Sequence, residues 1–315
     1  MEEFNHKIEH VNTHSWVPMQ REDVNSETME VLEVFVDAIP HLPVHVHEIL
    51  KIVSDFEKDT REIAKVASSD PAMVSRILKT VNSSYYGLPK KTDNLNTAIV
   101  ILGLNEIRKI VLQAGFSQVL GEDWCYKGYD TKGLWEHSYL VSICAEALSK
   151  GQDTHHVGEL MTLGILHDIG KYALFKLAVI LKRKRLKALK TGSLSPHSTI
   201  LKKEEHLFGI NHAIMGSMLA RKWELSERIC SMIECHHYPS FWGIDTIPSE
   251  YLNDIVTICF SDLIVKRVTS KEEILPEPSK EYFSILGLKP PLEHVITNEL
   301  ETIIENAKKF ITYIQ

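Results

Sequence analysis

The sequence has no apolar run long enough to cross a membrane, no CxxC pair among its five cysteines and no excess of basic residues. A membrane-spanning helix needs about 20 consecutive apolar residues, whereas the longest candidate, 172–181, is interrupted by Lys176. An odd number of scattered cysteines is typical of a reducing compartment. The N-terminal residues MEEFNHKIEH lack the basic-then-apolar order of a signal peptide. We therefore expect a cytoplasmic protein that is neither secreted nor inserted in a membrane.

The charge balance argues against direct DNA binding. The net charge is -7 at pH 7, whereas proteins that hold phosphate backbones present basic surfaces. The apolar content of 44% and the charged content of 24% are those of an ordinary globular protein. With 315 residues, the chain is long enough for two lobes.

The apolar pattern predicts an all-α fold. From about residue 29 onward apolar residues recur at helical spacing, and no alternating period extends beyond a few residues. We predict a polar N-terminal arm (1–28), a first helical lobe (29–120) and a second helical lobe (121–315) that together form a two-lobed helical bundle. The boundary falls in a polar segment that carries Gly121 and Gly133.

Local signals predict where individual helices begin and end. Asp70 followed by Pro71 predicts a helix start, and Gly103 predicts an interruption between two helical segments. The second lobe shows helical patterns at about 134–150, 156–175, 177–190, 198–209, 211–223, 226–237, 251–269 and 292–313.

The motif GILHDIGK (164–171) is the main candidate for chemistry. His167 and Asp168 follow an apolar helical segment, so they are expected at the inner end of a buried element. An imidazole beside a carboxylate suits zinc, iron, manganese or cobalt better than calcium. Lys171 lies four residues after His167, hence on the same helical face. A cation there would suit a phosphate-like ligand near a metal.

Further histidines and one aspartate occupy predicted helices where apolar residues would be expected. His212 stands at a predicted helix start, and His236 and His237 close an amphipathic helix. Asp262 interrupts the apolar run IVTICFSDLIV, where a carboxylate is costly unless it is paired or metal-bound. Together with the doublet, the candidate ligands are His137, His167, Asp168, His212, His236, His237 and Asp262.

Each of these features also has a simpler interpretation. The doublet could hydrogen-bond within a core, His236 and His237 could interact with a helix dipole, and His212 could be structural. The basic run 182–187 could be a solvated helix face or a strip that docks an anion or a partner. The cluster 83–86, Ser-Ser-Tyr-Tyr, could be a recognition surface or packing between lobes.

The chain resembles the HD superfamily in the order of these residues, H…HD…H…HH…D. The set is similar to that of the HD-GYP branch, where such residues ligate a two-metal centre. The segments IPHLPVHVHEIL, SSDPAMVSRILKTVNSSYYGLPKKTDNLNTAIVILGLNEIRK and HHYP resemble the HDOD domain, an output domain related to HD. The resemblance covers residues 35–265. It implies an HDOD lobe packed on an HD-like lobe and a role in bacterial signalling or regulation.

Departures from these families refine the expectation. Many HDOD members lack the ligands and are thought to be non-catalytic, whereas all seven positions are filled here. The residues YPSFWG follow the HH doublet in place of a GYP triplet, so cyclic di-GMP is not the expected substrate. Gly133 stands where three-metal members have a carboxylate, which favours two ions.

Three hypotheses of function follow. The first is a metal-dependent phosphohydrolase that acts on a phosphorylated small molecule or nucleotide, with two iron, manganese or zinc ions. Asp168 would bridge the ions and Lys171 would stabilise charge on the phosphate. The second is a non-catalytic signalling module that binds a protein partner or a ligand. The third is redox or oxygen sensing through a di-iron centre.

Overall fold

The computed structural model describes residues 16–53, 60–120, 131–149, 157–180, 199–269 and 276–314. All regular elements in these ranges are helices, which confirms the all-α prediction. None of the described helices combines the length and the apolar character that crossing a membrane requires.

The first part of the chain forms five helices. They are α1 (Ser26–Asp37), α2 (Val44–Val53), α3 (Thr60–Ala67), α4 (Pro71–Val81) and α5 (Leu95–Leu120). Asp70 caps α4, because its side chain accepts a hydrogen bond from the backbone N of Ala72 at 2.9 Å. Gly103 has a φ of 76°, which is not helical, and so kinks α5. Glycine adopts this conformation readily, whereas it is strained for residues with a side chain. Both local predictions are confirmed.

The second part of the chain surrounds the candidate ligands with helices. They are α6 (Thr131–Ser149), α7 (Val157–Leu166), α8 (Ile169–Ile180), α9 (Ile200–Phe208), α10 (His212–Lys222), α11 (Glu227–Cys235), α12 (Leu252–Val268), α13 (Lys280–Ile285) and α14 (Asn298–Ile314). The prediction of one helix over 156–175 was wrong, because the chain breaks at His167 and Asp168. The backbone N of Lys171 bonds the Asp168 carbonyl three residues back, so α8 restarts with a tightened turn.

Close helix packing brings these elements around one point. α6 packs on α7 and α12, and α10 packs on α8 and α11. A Cβ atom on Gly170 would lie 1.9 Å from the backbone oxygen of His212, so only glycine allows α8 to approach α10 this closely. α14 packs along α6.

Contacts connect the first part of the chain with the second. α1 packs on α10, and the Trp223 indole donates a hydrogen bond to the Pro40 carbonyl at 3.0 Å. The division into lobes at residue 120 stays a prediction. Residues 121–130 and the basic run 182–187 lie outside the described residues.

Candidate metal centre

The structure brings all seven candidate ligands together from five places in the chain. Each is at most 3% exposed. His137 lies on α6, His167 and Asp168 form the turn between α7 and α8, His212 begins α10, His236 and His237 follow α11, and Asp262 lies within α12.

The seven residues form two groups. Within each group, the atoms that could bind a metal all lie within 4.8 Å of one another. One group is Asp168, His212, His236 and His237; the other is His137, His167 and Asp262. Asp168 lies between them. Its Oδ1 is 3.1 Å from Nε2 of His212, and its Oδ2 is 3.4 Å from Nε2 of His167. A carboxylate in this position can serve both groups, as expected from the sequence for a bridging ligand.

Hydrogen bonds from Nδ1 to backbone carbonyls hold two of the imidazoles in place. Nδ1 of His167 lies 2.8 Å from the Gly164 carbonyl, and Nδ1 of His236 lies 2.6 Å from the Ile233 carbonyl. A carbonyl only accepts, so each Nδ1 donates a proton and each ring turns its Nε2 toward the centre. Histidines that bind metals show this same arrangement.

Several atoms that face the centre lack a hydrogen bond of acceptable geometry among the described residues. They are Nε2 of His137, His167 and His236, and Oδ1 of Asp168 and Asp262. Two of them, Nε2 of His137 and Oδ1 of Asp262, lie 2.9 Å apart, so a cation or a proton between them would satisfy both. Leaving a buried polar atom unsatisfied costs about 1–3 kcal/mol. In addition, Nε2 of His212 lies only 3.0 Å from Nε2 of His237. Bound cations would satisfy all these lone pairs together, so the residues fit a divalent metal centre.

Each carboxylate of the centre is paired with a buried lysine. Nζ of Lys171 lies 2.7 Å from Oδ2 of Asp168, and Nζ of Lys266 lies 2.9 Å from Oδ2 of Asp262. Burial acts to raise the pKa of both carboxyls, but the lysines and the nearby histidines hold each pKa well below its usual value. Both carboxylates are therefore ionised, the form that binds metals. The sequence analysis placed Lys171 at the centre and missed Lys266. Lys266 could have been found, because it lies four residues after Asp262 on an apolar helix and hence on the same face.

Most of the imidazoles are neutral at physiological pH. Burial lowers the pKa of His137 to about 4, and burial with neighbouring imidazoles lowers the pKa of His236 and His237 well below the usual value. Neutral imidazole is the form that binds a metal. His212 differs: burial acts to lower its pKa, but the Glu204 and Asp168 carboxylates together raise the pKa above the usual value.

Glu204 is a second residue that the sequence analysis missed. Its carboxylate is 1% exposed, and its Oε2 lies 2.6 Å from Nδ1 of His212. The side chain sits on α9, eight residues before His212. The sequence offers no clear signal for it, because Glu204 and Glu205 look alike in a polar helical stretch.

An extended segment covers the centre on the side of His237. We call residues 16–20 the N-terminal strap. The backbone N of Met19 donates to Oε1 of Glu205 at 2.8 Å, and Nδ2 of Asn211 donates to the Met19 carbonyl at 3.3 Å. Trp16 packs edge-on against Phe241, with ring centroids 5.9 Å apart.

The cavity beneath the strap is very small. Its volume is about 10 Å³, and Pro18, Met19 and His237 contribute to its lining. This volume admits about one water molecule. The space between the strap and His237 is therefore too small for a substrate.

In this all-helical structure, a buried histidine–aspartate doublet meets four more histidines and a second aspartate. This arrangement defines an HD-related protein with a candidate metal centre. The model of the HDOD domain matches residues 39–239, and the chain belongs to the HDOD domain family. The expected family is thus confirmed. Asp262 lies beyond the matched residues.

The chain is also similar to individual proteins. It is 26% identical over 255 residues to an uncharacterized protein of Treponema pallidum (strain Nichols), covering 79% of this chain and 47% of the relative. The chain thus spans about half the length of that relative.

Solved structures share the fold. An HDOD domain protein of unknown function from Geobacter sulfurreducens is 20% identical, with a TM-score of 0.69 over 91% of this chain and 99% of that chain. A candidate phosphohydrolase from Shewanella amazonensis is 20% identical, with a TM-score of 0.63, and the match covers 90% of this chain and 98% of that chain. A candidate signal transduction protein from Marinobacter aquaeolei is 16% identical, with a TM-score of 0.72, and the match covers 92% of this chain and 67% of that chain. At these identities the likeness supports the fold alone.

Proposed function

We propose that this protein is a signalling or regulatory HDOD protein whose centre binds two divalent metal ions and hydrolyses a phosphate ester. One observation carries the proposal. Seven buried residues of ligand type converge in two adjoining groups, and Nε2 of His236 faces the centre without a hydrogen-bond partner among the described residues.

In this proposal each group would hold one ion. Asp168, His212, His236 and His237 would hold one, and His137, His167 and Asp262 would hold the other. Imidazole and carboxylate ligands suit iron, manganese or zinc. The position of Asp168 between the groups supports its role as the residue common to both ions.

Two bound ions of this kind supply Lewis-acid stabilisation of a phosphate and activate water for attack. The protein residues orient that centre. Glu204 and the Gly164 and Ile233 carbonyls fix three imidazole rings. Lys171 lies against Asp168, where its ammonium adds positive charge for an anionic substrate. We propose a phosphorylated small molecule or nucleotide as the substrate class.

The test is metal content followed by activity. Protein purified without chelator is expected to hold about two iron, manganese or zinc ions per chain by mass spectrometry. Loaded protein is expected to release nitrophenol from bis(p-nitrophenyl) phosphate. His167→Ala is expected to lower the metal content, because it removes a ligand of one ion, and to abolish the activity. The matched control is His294→Ala, because His294 is exposed and lies outside the centre. Absence of metal after reconstitution would refute the centre, and activity that survives His167→Ala would refute the mechanism.

A non-catalytic regulatory module is the second candidate function. It is favoured by the small space between the N-terminal strap and His237 and by the lysine held on each carboxylate. In that case the centre would bind metal for stability or sensing, and a signalling partner would read the state of the protein. Two bound ions with no phosphatase or phosphodiesterase turnover, even after the strap is weakened, would favour this candidate.

A further inference from the structure

A second cavity lies away from the metal centre, between the turn after α4, helices α5 and α6, and helix α14. Its volume is about 280 Å³. Tyr85, Tyr86, Tyr139 and Phe310 contribute aromatic rings to its lining, and Glu106 and Lys109 contribute charge. None of its lining residues belongs to the candidate metal ligands. The Tyr85–Tyr86 pair belongs to the motif that the sequence analysis left open between recognition and packing.

The aromatic rings are arranged around Phe310. Its ring centroid lies 4.6 Å from that of Tyr85 and 6.0 Å from those of Tyr86 and Tyr139. Tyr85 is 51% exposed, which leaves part of its ring available to a ligand. Aromatic faces of this kind stack on planar heterocycles, and such stacking on a nucleobase contributes about 1–3 kcal/mol.

A buried ion pair lies in the same lining. Nζ of Lys109 is 3.3 Å from Oε2 of Glu106, and the Tyr139 hydroxyl donates to the same oxygen at 3.3 Å. A lysine has three donors and a carboxylate about four acceptor positions, so both keep capacity for a ligand. A buried ion pair stabilises a fold little compared with apolar residues of the same size. In this lining the pair offers a charged donor and a charged acceptor to a polar ligand.

We propose that this cavity binds a purine nucleoside. The base would stack on the aromatic rings, its amino or imino group would donate to Glu106, and a ring nitrogen or carbonyl would accept from Lys109. Purines carry donors and acceptors side by side. The charges of Glu106 and Lys109 cancel, which favours a neutral ligand. The volume is close to the lower end of about 300–1,000 Å³ for ligand pockets, which suits one nucleoside rather than a dinucleotide.

The site is independent of the proposed metal chemistry, and the experiment keeps the two apart. The full chain, stripped of metal with a chelator, is titrated by calorimetry with guanosine, adenosine, cytidine and uridine. These probes lack a phosphate, so they give the metal centre no anion to bind. We expect one site per chain for guanosine or adenosine, and at least tenfold weaker binding of both pyrimidine nucleosides.

Variants assign the binding to the cavity. Glu106→Gln and Lys109→Met keep the size of the side chain and are each expected to weaken purine binding at least tenfold. Tyr85→Phe should retain binding and Tyr85→Ala should weaken it at least fivefold. Glu30→Gln, an exposed substitution on α1, serves as the control and should change nothing.

Several results would overturn the proposal. They are no binding of either purine at 1 mM, equal binding of purine and pyrimidine nucleosides, or unchanged purine binding in properly folded Glu106→Gln and Lys109→Met proteins. If these two variants fail to fold, the comparison of Tyr85→Phe with Tyr85→Ala tests the proposal. Because Tyr85 is half exposed, its truncation is expected to leave the fold intact, and equal binding by Tyr85→Phe and Tyr85→Ala would then reject the site.

Discussion

The carboxylate of Glu204 holds His212 by two hydrogen bonds at the same oxygen. Oε2 accepts from Nδ1 of His212 at 2.6 Å and from the backbone N of His212 at 2.8 Å. The carboxylate thereby fixes the ring and the first turn of α10 at once. It acts on the centre through His212, and its role is positioning.

Glu204→Gln is expected to weaken metal binding about 10–100-fold, the usual effect of losing the partner of a metal-binding histidine. An amide keeps the size of the side chain but removes the charge that orients and polarises the imidazole. Competition with a fluorescent chelator measures the affinity. Glu30→Gln is the control, since Glu30 is exposed. Equal affinity in wild-type and Glu204→Gln protein would contradict the positioning role of Glu204.

Metal removal is expected to lower thermal stability, because it leaves buried lone pairs unsatisfied. At a free metal concentration of 100 times Kd, one site stabilises the fold by about 2.7 kcal/mol, which corresponds to roughly 4 °C in Tm for a chain of this size. Scanning fluorimetry with and without chelator measures the shift. His236→Ala should show a smaller shift, because it removes a ligand of one of the two proposed ions. A wild-type Tm insensitive to chelator would contradict a structural contribution from metal.

Lys266→Met is expected to make folding depend on metal. Removing one partner of a buried ion pair typically costs about 3–5 kcal/mol, and here the uncompensated charge is that of Asp262. A cation bound at the centre would offset this charge. Urea unfolding should therefore show a large loss of stability in chelator and a small one with manganese. Arg267→Met is the control, because its pair with Glu293 is about half exposed and such pairs contribute little.

Weakening the N-terminal strap is expected to open the centre. Trp16→Ala removes the edge-on contact with Phe241 and the ring beneath Nζ of Lys202, which lies 5.6 Å from its centroid. The rate of metal extraction by a chelator should rise severalfold, and phosphodiesterase activity should rise with it. Val17→Ala is the matched control, because Val17 is 53% exposed. Equal extraction rates in the two variants would show that the strap does not limit access.

Gly170→Ala is expected to disrupt the centre from a position that binds no metal. The added methyl group would overlap the His212 carbonyl, so α8 and α10 must separate and carry Asp168 away from His212. Overpacking of this kind costs about 1–3 kcal/mol or more. Metal content and Tm should both fall. In the control Gly243→Ala the methyl group meets only the flexible, exposed side chain of Asp245, and both quantities should stay at the wild-type level.

The sequence by itself determined the helical class, the HDOD family and the positions of seven candidate ligands. These follow from local patterns: the helical period, the cap at Asp70, the glycine at position 103, and histidines or aspartates in apolar surroundings. Each signal is carried by residues close together in the chain, so it is visible without knowledge of the fold.

Only the tertiary structure decided how those residues meet. It divided the ligands into two groups, placed Asp168 between them, and broke the predicted helix at His167. It also added Glu204, Lys266 and the strap, none of which the sequence analysis identified. Contacts between distant segments depend on how helices cross, and a crossing such as that of α8 and α10 is set by packing. A carboxylate such as Glu204 becomes a positioning residue only when the fold buries it beside its histidine.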